Sequence, residues 1–199
     1  VYYLSLAHSF RGARDNDLIN FESDFFLLKG EVVKGGWERD ISISFSRDKT
    51  KQITIDGVKA NSAGDLVGNF TSVVFAPEHL RLVRGAPALR RKYLDTQISM
   101  VFPKYYHYLK EYRQVVRQRN EVLKSGEEKG LEIWDHYLCS LGAKIISARV
   151  RAAAKLAEKV REVFFQISGE DKKLDLSYCS TLGEGEYLTD EKTIYDLYR

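Results

Sequence analysis

Two kinds of hydrophobic pattern divide this chain. In its first third, apolar residues alternate with polar ones; in its second half they recur at three- and four-residue steps. Phe25 to Val33 is rich in strand formers, and Gly35-Gly36 then supplies a turn. Ile41, Ile43 and Phe45 alternate with serines, the mark of a half-buried strand. Arg47 to Lys51 is polar, Ile53 and Ile55 alternate again, and Asp56-Gly57 gives a second turn. The pattern predicts an antiparallel meander. Ahead of it, Val1 to Ala7 reads as the end of a helix, and His8 to Asn16 as a polar connection broken at Gly12. Behind it, Ser62 to Gly68 reads as a short helix capped by Asn61 or Ser62, and Ser72 to Phe75 as a short buried strand.

From Pro77 the period changes. A proline is tolerated in a first helical turn, where its missing N–H would bond to nothing, so Pro77 is read as opening a helix. Gly85 and Pro87 precede another, Ala88 to Met100. Pro103 opens a third, running to about Lys124, with Tyr105, Leu109, Tyr112, Val116 and Leu123 as its apolar stripe. After a charged loop from Ser125 to Gly130, one seam runs from Leu131 through Leu141, Ile145, Ala152, Leu156 and Val163 to Ile167. That helix would be roughly 55 Å long at about 1.5 Å per residue, with Gly142 as a place to bend. Its stripe needs a partner, and the preceding helix, running antiparallel, is the nearest; the pair predicts a helical hairpin. Leu174, Leu176 and Tyr178 alternate as one more strand, and Thr189 is read as the cap of a final helix.

Composition narrows the class. The 199 residues are 44% hydrophobic and 30% charged with three prolines, as expected of a folded, water-soluble chain. No run approaches the roughly 18 apolar residues that a membrane-spanning helix needs, and Val1 to Phe10 has no signal-peptide features. Val1 stands where an initiator methionine would, so a piece of a longer protein is expected. Cys139 and Cys179 lack CxxC partners, and buried free thiols in a reducing cytoplasm are expected. Net charge is only +3, yet bases cluster from Arg81 to Lys124 and from Lys144 to Arg161, while the tail from Ser168 is acidic. A basic centre between more acidic ends points to a polyanion as partner.

Three stretches resemble the RecF family of DNA-repair ATPases. The first is Tyr2-Tyr3-Leu4-Ser5 with His8-Ser9-Phe10-Arg11 and Asp17-Leu18-Ile19. The strongest is Val74-Phe75-Ala76-Pro77-Glu78, followed by Leu80, Leu82-Val83, Gly85, Pro87, Arg90-Arg91 and Leu94-Asp95. The third comprises Tyr105, Leu109, Tyr112, Gln118-Arg119-Asn120, Leu123-Lys124, Trp134-Asp135, Leu138 and Gly142-Ala143. The likeness runs from about Tyr2 to Arg151 and departs at His79, where the family leads one to expect an acid. It implies an α/β (or α+β) fold: part of an SMC- or ABC-type ATPase head with an antiparallel sheet, plus a helical-hairpin lid or arm. The expected division is 1–102 for head, 103–168 for hairpin and 169–199 for a return segment.

The resemblance further implies a recombination mediator acting at single-strand gaps, in replication restart and in the SOS response. Its partners would be DNA, RecR and RecO, and ATP with Mg2+ would drive its homodimerisation. No phosphate-binding GxxxxGK[ST] loop, ABC signature or Walker B pair occurs in these residues, so by themselves they are not expected to hydrolyse ATP. Arg11 and Arg14 are candidates for the nucleotide or the dimer interface, since a guanidinium can neutralise charge on phosphate oxygens; a plain surface arginine is the alternative. Glu78, at the position of a Q-loop, is a candidate for magnesium or its water, against a simple helix-start acid. Arg90 and Arg91 would meet DNA phosphate or pair with Asp95 on their own helix. Lys110, Arg113, Arg117, Lys144, Arg149, Arg151, Lys155 and Lys159 are candidate phosphate contacts, each also readable as a solvated helix face. Tyr105, Tyr106 and Tyr108 read better as seam residues than as base-stacking ones. His107 and Glu111 have a metal-like spacing but no third ligand, and read as a surface pair. Two other readings stay open: a protein-docking arm for a RecR-type partner, and a piece of another SMC-like ATPase.

Overall fold

The computed structural model describes residues 1–126, 130–169 and 174–199. They form two compact units, 1–93 with 99–103, and 94–98 with 104–199.

In the first unit, helix α1 (Tyr2–Leu6) precedes a four-stranded antiparallel sheet of β1 (Phe25–Lys34), β2 (Trp37–Ser46), β3 (Lys51–Ile55) and β4 (Val58–Lys59), ordered as in the sequence. This is the meander that the alternation predicts. Gly35 and Gly36 both take positive φ, which suits a two-residue hairpin turn to the right-handed strand twist. Ile41, Ile43 and Phe45 of β2 are buried while the intervening serines face the other way. Ile41 and Ile43 pack with Ile53, Tyr3, Ala7 and Leu66, and Phe45 stacks on Phe26. A Cβ at Gly30 would sit 2.8 Å from the Leu4 side chain, so glycine lets α1 lie close on β1.

The predicted helix over 62–68 is one 3-10 turn, Ala63–Leu66. Ser62 caps it by accepting from the Gly64 amide, and the Asp65 carboxylate accepts from the amides of Asn61 and Ser62. Pro77 opens a 3-10 turn (Pro77–His79) that runs into α2 (Leu80–Arg84). The predicted buried strand over 72–75 is a correction. Ser72 alone is buried there; Val73 and Phe75 are 89% and 98% exposed, and no described strand pairs with them. An apolar run supplies side chains for a strand, but a strand also needs a neighbour for its amides.

Helix α3 (Pro87–Val101) contributes Leu94–Ile98 to the second unit, which continues with α4 (Pro103–Ser125), α5 (Leu131–Ser168) and α6 (Glu191–Tyr198). The two long helices run antiparallel: Tyr105 meets Arg149, Lys144 lies over Tyr108, and Arg119 bonds Asp135. The α4 stripe is corrected at two steps: Val115 is buried and Val116 only half so, and Leu123 is exposed.

Helix α5 departs from the single predicted seam because it buries two sides. Ile145 packs with Ile98, Tyr105 and Leu109, while Ala143 and Ile146 pack with Leu188 and Ile194 of the C-terminal segment. Gly142 has a closer reason than bending. The Tyr198 ring lies where its Cβ would be, 2.9 Å from that ring's Cε2. Further on, Ala153 and Ala157 are buried, whereas Val163 and Ile167 of the predicted seam are exposed.

The strand expected at Leu174–Tyr178 forms no ladder among the described residues, and an isolated bridge nearby joins Ser180 and Gly183. The last helix is capped by Asp190, whose carboxylate accepts from the Thr193 amide; Thr189 instead donates back to the Glu186 carbonyl. Cys139 is buried as expected, but Cys179 is exposed. Residues 127–129 of the predicted loop lie outside the described residues.

Candidate nucleotide and nucleic-acid sites

In the first unit, α1 ends on Ala7 in the left-handed conformation, and the chain turns through Ser9–Gly12. A polar knot anchors this loop to the sheet. The Lys51 ammonium of β3 donates to the Ala7 carbonyl at 2.7 Å and pairs with Asp15 at 2.8 Å, while the Tyr3 hydroxyl donates to Asp15. Burial, then the hydrogen bond to Asp15, pushes the Tyr3 phenol well above the ordinary tyrosine range.

Arg11 projects from the anchored loop, its guanidinium against the Phe10 ring and 3.4 Å from the Glu78 carboxylate. Two candidates far apart in the sequence are thus brought together, and both stay open to solvent at 66% and 42% exposure. Such an exposed pair holds its partners weakly, so its cation and carboxylate remain available to a ligand. Arg14 is exposed at the start of the 3-10 turn Asp15–Leu18, where its backbone amide donates to Asp17. For a magnesium triphosphate the Arg11–Glu78 pair offers one cation and one carboxylate; the phosphate-cradling loop is not in this sequence. Arg90 is engaged locally. It donates to the Leu82 and Gly85 carbonyls, satisfying the C-terminal end of α2, while neighbouring Arg91 is exposed.

The second unit sorts the remaining bases into two groups. Arg149 is corrected from surface contact to core residue. It grips both oxygens of Asp95 at 2.8 and 2.9 Å and donates to the hydroxyls of Tyr105 and Tyr178. The pair is 15% and 12% exposed. Burial is the largest single influence and opposes the guanidinium charge, but the Asp95 hydrogen bond, together with the charge of Asp95 and the Tyr105 and Tyr178 hydroxyls, outweighs it and holds Arg149 protonated. Asp95 therefore serves Arg149 rather than Arg90 or Arg91 of its own helix. Lys144 lies over the Tyr108 ring, Arg151 donates to the Thr189 carbonyl, and Lys159 pairs with Glu162.

Four of the candidates on these helices remain uncommitted. Lys110, Arg113 and Arg117 of α4 and Lys155 of α5 are exposed, and no carboxylate among the described residues pairs with them. The candidates drawn from the sequence omit Lys124, which is exposed and shares the helix face of Arg117 seven residues on; that spacing is the signal that would have found it. Of the tyrosines, Tyr105 is fully buried, and Tyr106 meets His107 edge-on at 5.8 Å. Among the described residues no group of three His, Cys, Asp or Glu side chains is placed to hold a metal ion. No helix among them is long and apolar enough to cross a membrane.

The fold is that of part of an SMC-like, ABC-type ATPase head, as its likeness to solved structures shows. The chain superposes with a TM-score of 0.90 on the recombination mediator protein RecF-ATP of the RecFOR pathway, at 31% identity, covering 98% of this chain and 54% of that one. A RecF-ATPrS structure of the same pathway gives 0.87 at 32% identity. Curated relatives agree. Those from Clostridium perfringens (31% identical over 192 residues), Caldanaerobacter subterraneus subsp. tengcongensis (33% over 192) and Halothermothrix orenii (36% over 190) each bear the name DNA replication and repair protein RecF. The three alignments cover 96%, 94% and 92% of this chain. This chain belongs to the RecF family. It spans about half the length of these relatives, 53%, 52% and 50% respectively. No family model matches it.

Proposed function

We propose that this chain is part of a RecF-type recombination mediator that binds DNA under the control of ATP during gap repair and replication restart. ATP with Mg2+, held mainly by a phosphate loop outside these residues, would supply the charge that draws two heads together. Within this chain, Arg11 would meet phosphate oxygens or the facing protomer, and Glu78 would meet the magnesium shell. The second unit would provide the DNA-facing helix. RecR and RecO are the proposed protein partners.

The observation that carries the DNA reading is the uncommitted row Lys110, Arg113 and Arg117 on α4. Arg149, Arg151 and Lys159 of α5 are tied to protein groups, whereas these three are exposed and form no ion pair among the described residues. Phosphate contacts of this kind give affinity that falls by about 0.9 log units per log of salt for each contact. A titration of the protein, at its natural length and with ATP, against duplex DNA at two salt concentrations tests this. Salt-dependent binding supports it, and an absence of binding at low salt removes it.

A docking arm for a RecR-type partner is the second reading. It is favoured by the apolar end of α5, where Val163, Phe165 and Ile167 are exposed. Under that reading, the same titration finds no DNA affinity, and substitution of Ile167 by Asp weakens RecR capture.

A further inference from the structure

We infer that Lys51 is a positioning residue for nucleotide binding: its one ammonium closes the Arg11 loop at both feet and holds that arginine ready for a phosphate. The inference rests on the reading above, in which Arg11 meets phosphate, and adds the side chain through which the sheet acts on it.

Residues 8–14 leave α1 at Ala7 and enter the 3-10 turn at Asp15. The Lys51 ammonium, at the start of β3, reaches both ends of this excursion. It donates to the Ala7 carbonyl at 2.7 Å and pairs with the Asp15 carboxylate at 2.8 Å. Arg11 is the midpoint of the loop, four residues from each foot. Its amide donates to the Ser9 hydroxyl and the Gly12 amide to the Ser9 carbonyl, so a turn carries the arginine. Among the described residues, the hydrogen bonds of the loop itself run no further along the chain than Asp17. The tie to the sheet is Lys51.

Neither foot holds its place by local preference. Ala7 takes the left-handed conformation at φ 54°; there Cβ crowds the carbonyl oxygen, and such strain persists only where the surroundings over-determine it. The Lys51 donor supplies that constraint, on a carbonyl that the end of α1 leaves without a helical partner. Asp15 is held from two sides, by Lys51 and by the Tyr3 hydroxyl at 2.7 Å. The ammonium also lies over the Tyr3 ring, 5.2 Å from its centroid. Three donors on a single point charge suit a carbonyl, a carboxylate and a ring face gathered in one place.

A guanidinium serves a triphosphate best when it is in place beforehand; a loose loop must first be ordered at the expense of affinity. Ordering one backbone residue at that moment weakens binding roughly 5- to 30-fold. Lys51 is itself only 25% exposed, and its two polar contacts are both with the feet of the loop. Its influence on nucleotide therefore passes through Arg11.

The test uses the protein at its natural length. Isothermal titration with Mg2+ and a non-hydrolysable ATP analogue compares wild type, K51M, R11A and K51M/R11A. K51M should weaken binding about tenfold, yet add no loss once Arg11 is gone, since the two act as one unit. Trypsin, which cuts after arginine, reads the loop without nucleotide. Cleavage after Arg11 and Arg14 should quicken about fivefold or more in K51M, as the loop opens more often. Should K51M fail to fold, D15N keeps the shape, removes the charge that Lys51 grips and takes its place in both assays. Unchanged cleavage, or an affinity loss equally large without Arg11, overturns the inference. If R11A weakens binding and K51M does not, Lys51 is dispensable while the reading of Arg11 stands. If R11A binds the analogue as wild type does, that reading falls, and the positioning role falls with it even where trypsin finds the loop loosened.

Discussion

Substituting Asp95 by Asn tests how the second unit is held together. Among the described residues Asp95 is the carboxylate bonded to the Arg149 fork, and its Oδ1 also accepts from the Tyr105 hydroxyl at 2.6 Å. Every buried side-chain nitrogen and oxygen among the described residues has a hydrogen-bond partner, so the network starts fully satisfied. Asparagine keeps the shape and one acceptor but leaves the Arg149 charge buried and unbalanced. Opposite charges about 4 Å apart attract by about 4 kcal/mol at an effective dielectric of 20, and breaking a buried pair from one side typically costs about 3–5 kcal/mol. A loss of about 4 kcal/mol lowers the melting temperature of a chain this size by roughly 8–16 °C. Circular dichroism at 222 nm, followed through heating and through urea, measures it. The double variant D95L/R149M removes both charges and should lie closer to wild type than Asp95→Asn. A single-variant cost below about 1 kcal/mol, the worth of a surface pair, would refute the reasoning. So would a double variant whose cost equals the sum of the two single losses.

Alkaline titration gives a second prediction. Burial raises the phenols of Tyr105, Tyr3 and Tyr198 above their unfolded value of 10.0. Their contribution is fully present below pH 10 and is lost as pH rises beyond it, because the unfolded chain then sheds protons that the folded one keeps. The urea midpoint should fall above pH 10, and Tyr105→Phe should make that fall shallower by up to about 1.4 kcal/mol per pH unit, one proton's worth; an unchanged slope sinks the assignment. At the proposed nucleotide site, Arg11→Ala should weaken the proposed ATP-driven dimerisation at least several-fold while the melting temperature holds, since its ion pair with Glu78 is exposed. Light scattering with and without ATP reads this, and undiminished dimerisation removes Arg11 from the site.

Local rules predict this fold well where neighbours in the chain are neighbours in space. The meander is of that kind: Ile41, Ile43 and Phe45 alternate, and the paired turn residues Gly35-Gly36 and Asp56-Gly57 fix two of its three hairpins. Helices α4 and α5 are equally legible from their periodicity. What fails depends on distant partners. Val73 and Phe75 look like a strand in composition, but nothing local says whether another strand lies alongside. Arg149 reads as one more base on a basic helix until Asp95, 54 positions earlier, turns it inward. The second buried side of α5 is hidden from its periodicity because Leu188 and Ile194 reach it from far along the chain. Arg11 and Glu78 are each singled out by resemblance, and no spacing rule would have shown that they meet.

The outer end of α5 has a consequence of its own. Its final turns reach beyond the start of α4, and the apolar side chains there, Ile167 at 81% exposure above all, bury little surface. Helical hydrogen bonds that tertiary packing does not back are open a larger share of the time. Amide protons near Ile167 should therefore trade with solvent deuterium well before those around Ile145, so that one continuous helix unravels from a known tip toward a protected root.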